Sequence, residues 1–105
     1  METKTHPDRI ALFKRRIEVD GRQFCEELFY HTWVRLMCFK YAYYELNETL
    51  ISDQAYDLTE DEWYVMGQAL GLLQEDEISP CVDWNENARF AQEGKALALQ
   101  LSRRG

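Results

Sequence analysis

The segment "RQFCEELFYHTWVRLMCFKYAYYEL", residues 22–46, is the longest helical candidate in the chain, and sixteen of the 23 residues from Phe24 to Leu46 are apolar or aromatic. A helix on the surface of a globular protein needs only one apolar stripe, so this one has far too many such residues for a single buried face. It has to be enclosed on several sides, or else present a second apolar face to a partner such as another copy of the chain in a homodimer. The remaining elements are expected to pack around it.

Gly21 separates this segment from an earlier one, "DRIALFKRRIEV", in which Ile10, Phe13 and Ile17 recur at helical spacing while Lys14, Arg15 and Arg16 fall largely off the stripe. A third helix is predicted to start at Thr59, because Glu62 stands three residues later in the arrangement of a capping box, and Trp63, Met66, Leu70 and Leu73 then line one face. Glu60, Asp61 and Glu62 suit the positive end of that helix dipole. After "QEDEISPC", read as a loop that Pro80 keeps from being helical, Asp83 and Glu86 repeat the capping pattern and "WNENARFAQEGKALALQLSRR" is the fourth helix. Its shared side is predicted as Phe90, Gly94, Leu97 and Leu101, with Arg103 and Arg104 complementing its C-terminal end. Four helices with short connections, no alternating strand pattern and no internal repeat predict an all-α, four-helix bundle-like single domain over residues 1–105.

Charge is unevenly placed along the 105 residues, whose formal net charge is −7. Residues 1–40 hold eight Lys and Arg against six Asp and Glu, residues 41–88 hold twelve acids and no Lys or Arg, and residues 89–105 hold four bases and one acid. Nucleic-acid affinity depends on Lys and Arg displacing counterions from phosphates, so the middle of the chain is unsuited to direct DNA or RNA binding. The same field steers basic protein surfaces toward it, and it also serves as a solvated face that keeps a protein soluble. "METKTHPDRI" has charges and a Pro where a signal peptide needs an apolar run, and no stretch is apolar enough to span a membrane, so a cytoplasmic protein is expected. Cys25, Cys38 and Cys81 are odd in number and widely spaced, which predicts reduced, buried thiols.

No reaction is legible. His6 adjoins Pro7, and His31 has no His or Cys three or four residues on, so no metal site is assembled locally. Ser52, Ser79 and Ser102 lack the setting of a nucleophile, and the glycines are too scattered for a phosphate loop. Carboxylates are so abundant that any catalytic pair would be arbitrary. The chain is therefore read as a binding protein, not an enzyme, with no required cofactor.

The stretch that asks for a binding role is "YAYYELNETLISDQAYD", residues 41–57, with four tyrosines and two aspartates. "YAYYELN" followed by "ISDQAYD" resembles the N-terminal helical subdomain of bacterial NAD+-dependent DNA ligases over residues 35–73. In that family an aromatic helix runs through a turn into an I-S/P-D-x-x-Y-D signature that opens the next helix. The resemblance implies that Tyr43, Tyr44, Asp53, Tyr56 and Asp57 occupy positions that contact the nicotinamide mononucleotide half of NAD+. Tyr44 stands where the family usually has histidine, and Thr49 where its turn commonly has proline. A pyridinium ring suits tyrosine faces and ionised carboxylates. None of Lys4, Lys14, Lys40 and Lys95 lies in a K-x-D-G setting, so self-adenylation and ligation are not implied. Phosphates of such a ligand would need Arg35, Lys40 or Arg89 to fold over them.

The same residues have a structural reading, in which tyrosine rings close a helical hairpin while Asp53 and Asp57 cap the turn and the next helix. Two functional expectations follow. In the first, the chain is a non-enzymatic acidic interaction protein that binds a basic partner through its tyrosines and an acidic surface of Glu60, Asp61, Glu62, Glu75, Asp76 and Glu77. In charge and size it is similar to phage-encoded inhibitors that occupy nucleic-acid-binding grooves. In the second, it is a nicotinamide mononucleotide or NAD+ binding module, or an accessory piece that docks on a ligase or nucleotidyltransferase.

Overall fold

Gly21 adopts φ 97°, in the region that favours glycine, and the chain turns there between α1, His6–Asp20, and α2, Arg22–Glu45. The computed structural model describes residues 6–73, 84 and 86–102; α3, Asp53–Leu70, and α4, Ala91–Leu101, complete an all-α, bundle-like arrangement without strands among those residues. None of these helices is long and apolar enough to cross a membrane.

α2 is the central element. It packs against α1, α3 and α4, and α1 also lies on α3. Its composition now has a physical cause, because it serves two apolar clusters. The larger joins Cys25, Phe29, Trp33, Leu36 and Met37 of α2 to Trp63, Met66 and Leu70 of α3, with Leu73 and Ala91. Within it the Trp33 and Trp63 rings meet edge-on at 5.3 Å, and Phe29 packs against both. The smaller cluster joins Cys38 and Ala42 to Ala98 of α4. Phe24, Glu27, His31, Arg35, Cys38 and Ala42 step along one stripe of α2 by threes and fours. The first four are exposed and the last two buried, so α4 covers only the C-terminal half of that stripe.

Contact between α2 and α4 depends on small residues. Ala91, Gly94 and Ala98 form the buried face of α4, and a Cβ on Gly94 would fall 2.5 Å from Met37 Cβ and 2.8 Å from the Cys38 backbone nitrogen. Leu97 is half-buried and Leu101 is exposed, so the predicted stripe of Phe90, Gly94, Leu97 and Leu101 is corrected by one step around the helix. The predicted start is corrected as well. Residues 86–90 form turns, Phe90 adopts a left-handed φ of 64°, and the helix begins at Ala91. Phe90 packs on Tyr30 and Trp33 at 5.7 and 5.2 Å, and burial of that ring outweighs continuation of the helical pattern. Asp83, Arg103 and Arg104 lie outside the described residues.

The start of α3 is a further correction. Ser52 is the N-cap, accepting the Ala55 N–H at 3.1 Å, while Thr59 lies in the helix interior and its hydroxyl donates to the Ala55 carbonyl at 2.8 Å. The Thr59–Glu62 spacing therefore imitates a cap without making one. At the other end the Leu72 N–H reaches the Gly67 carbonyl at 2.9 Å and the Gly71 N–H reaches Gln68, a Schellman closure, and Arg22 donates to the Leu70 carbonyl at 2.7 Å. Leu73 lies beyond the helix but is buried over Gly67. Cys25 and Cys38 are buried free thiols, and Cys81 lies outside the described residues.

Candidate functional site: the tyrosine corner between α2 and α3

Asn47 takes a left-handed φ of 55° after α2, and the Glu48 N–H turns back to the Ala42 carbonyl at 2.8 Å. The chain then crosses to Ser52 and enters α3. This turn brings the end of α2 and the first two turns of α3 around a cleft of about 200 Å³. Tyr43, Tyr44, Asp53 and Tyr56 line it, together with Thr49 and Lys40. Four of the five residues singled out by the ligase-like signature thus share one cleft. Asp57, the fifth, is exposed on α3 and does not line it.

Lys40 organises the interior. It is only 8% exposed, and its ammonium lies 5.2 Å from the Tyr44 ring centroid and 5.0 Å from that of Tyr56. Both rings present a negative face to the charge, so the lysine is held by two aromatic walls on different helices. Tyr43 and Tyr44 meet at right angles with centroids 5.0 Å apart. Tyr41 points elsewhere, packing edge-on against Trp84 at 4.9 Å with the Lys95 ammonium 5.8 Å from its ring. Arg89 likewise lies over Tyr30, Trp33 and Phe90. The cations bordering the acidic middle span are thus turned onto aromatic faces.

The acidic triplet after Thr59 has a different environment. Asp61 forms a close ion pair with Arg9 of α1, and Glu60 is half-buried. Glu62 is exposed beside a groove that Arg9, Arg16 and Arg35 also line. Asp61 and Glu62 thus stand beside arginines, whereas Glu45, Asp53 and Asp57 are exposed on the two helices that form the tyrosine corner. Glu75, Asp76 and Glu77 lie outside the described residues.

In the sequence, Lys40 stands out only as a cation able to fold over a ligand. A usable signal was its position four residues before Tyr44, which places the two side chains on one helix face. The cleft is smaller than the roughly 300–1,000 Å³ of ordinary small-molecule sites, so it fits a side chain or a single ring better than a whole dinucleotide. Among the described residues no group of three His, Cys, Asp or Glu side chains is placed to hold a metal ion. No protein-family model, curated protein or solved structure matches the chain.

Proposed function

We propose that the chain is a non-enzymatic interaction protein that engages a basic partner through the rim of the α2–α3 corner. One observation carries this reading: Tyr43 and Tyr44 are 57% and 49% exposed beside the exposed carboxylates of Glu45, Asp53 and Asp57, while Lys40 is withdrawn beneath them. The outward surface is therefore aromatic and anionic. Tyrosines anchor interfaces because they bury a large rigid area at small entropic loss, and a carboxylate rim speeds encounter with a cationic surface. Occupying the nucleic-acid groove of a target, as an inhibitor does, uses the same chemistry. Affinity capture from the native host, compared between the wild-type chain and an Asp53→Lys/Asp57→Lys double variant, tests it. A specific basic partner should be lost on reversal, and also on Tyr43→Ala. Identical capture by all three proteins would dismiss the reading.

The second reading, a nicotinamide mononucleotide module, is favoured by the gathering of Tyr43, Tyr44, Asp53 and Tyr56 around one cleft. Lys40 is placed to meet a phosphate there, but it already occupies the Tyr44 and Tyr56 faces that a pyridinium would use. That competition ranks it second. Titration with the mononucleotide, followed by NMR, decides the matter: resonances of Tyr44, Asp53 and Tyr56 that stay fixed at millimolar ligand eliminate it.

A further inference from the structure

On another face of the molecule, α1, α2 and α3 enclose a groove of about 370 Å³, within the size range of small-molecule sites. Its floor is apolar, made by Phe13, Leu28, Val65 and Met66, the last two each 5% exposed. Three guanidinium groups stand around it. Arg9 is paired with Asp61 and Arg16 with Asp20 at 3.0 Å, whereas the exposed Arg35 makes no ion pair or hydrogen bond among the described residues. Thr32, the uncharged polar residue in the lining, already donates its hydroxyl to the Leu28 carbonyl at 2.8 Å. A ligand entering the groove therefore meets hydrocarbon below and an available guanidinium above.

We propose that this groove binds a monoanionic amphiphile, a medium-chain aliphatic carboxylate, with its chain on the apolar floor and its head group on Arg35. The planar fork of the guanidinium matches two carboxylate oxygens, and burial of the chain supplies most of the attraction. Arg9 and Arg16 add positive field even though each already has a partner. Glu62 also lines the groove and limits the charge it accepts: its carboxylate opposes a second negative charge on the ligand, which favours a carboxylate over a phosphate dianion. The site shares no lining residue with the tyrosine corner, so it stands or falls independently of the partner-binding reading.

Decanoate below its micellar concentration is the probe, followed by methyl NMR, with decanol and decyltrimethylammonium as comparisons. The expected result is saturable shifts of the Leu28, Val65 and Met66 methyls with decanoate. Arg35→Gln should weaken binding about ten-fold, the scale of a hydrogen bond to a charged group. Glu62→Gln should tighten it about three-fold, as removal of one exposed like charge does. Both residues are exposed, so the variants should keep the wild-type circular dichroism. Equal binding of decanol and decanoate, preference for the ammonium amphiphile, or shifts confined to the tyrosine corner would each overturn the assignment.

Discussion

Replacing Gly94 with alanine adds one methyl group where two helices touch. That methyl would stand 2.5 Å from Met37 Cβ and 2.8 Å from both the Met37 carbonyl carbon and the Cys38 nitrogen. Carbon atoms in ordinary contact are about 3.5–4.0 Å apart, so the helices must separate by about 1 Å. Two of these three neighbours are backbone atoms of α2, whose adjoining side chains are fully buried, so α4 is the element that moves. Ala91 and Ala98, on the same face, lose contact with it. Overpacking of this kind costs about 1–3 kcal/mol, with the upper end expected because no flexible side chain can yield. Alanine returns about 1 kcal/mol through its better helix propensity. The net loss is about 2 kcal/mol, which lowers the urea midpoint by about 1 M for a typical slope near 2 kcal/mol/M. Far-UV circular dichroism in urea measures it. Ala96→Gly, at an exposed site on the same helix, should lose about 1 kcal/mol from propensity alone. A midpoint for Gly94→Ala equal to or above wild type would mean that propensity alone governs the site and that α4 does not approach α2 this closely.

Ser52→Ala should destabilise by about 1 kcal/mol in the same assay, and Thr59→Ala by less than about 0.5 kcal/mol; the reverse order would restore Thr59 as the cap. A double-mutant cycle of Lys40→Met and Tyr44→Leu should give a coupling of about 0.5–1 kcal/mol, and additivity would remove the cation–π contact from the account. Burial raises the Cys38 thiol from 9.0 to about 11, against a smaller lowering by Arg35. The folded state then keeps a proton that the unfolded chain releases. This contribution to stability is complete below pH 9 and falls by about 2 kcal/mol as pH rises to about 11. Cys38→Ala should lack that part of the slope, and an unchanged pH profile would show that the thiol is not held protonated.

The sequence made α2 legible for local reasons: Gly21 fixes its start, and its aromatic density requires neighbours on more than one side. The cap of α3 is not legible locally, because Thr59 and Glu62 have the spacing of a capping box, whereas Ser52 has Ala55 at the reciprocal position and is recognised only by its hydrogen bond. The start of α4 depends on contacts between Phe90 and rings of α2 more than fifty positions earlier, which no local pattern encodes. At the candidate site the tyrosines and Asp53 were visible as a motif. The withdrawal of Lys40 between them was not, since one of its aromatic walls comes from the next helix.

The unequal covering of the outer stripe of α2 gives the two ends of α4 different fates. Ala91 is anchored in the aromatic cluster, while Ala98 closes a smaller cluster with Cys38 and Ala42, against which Phe39, Tyr41, Leu46, Leu50 and Leu97 pack. The smaller cluster has fewer buried side chains and no tryptophan, so loosening the distal turns of α4 costs less burial than loosening its first turn. Cys38 and Ala42, beneath those turns, thus belong to the part of the interior that the fewest buried side chains defend.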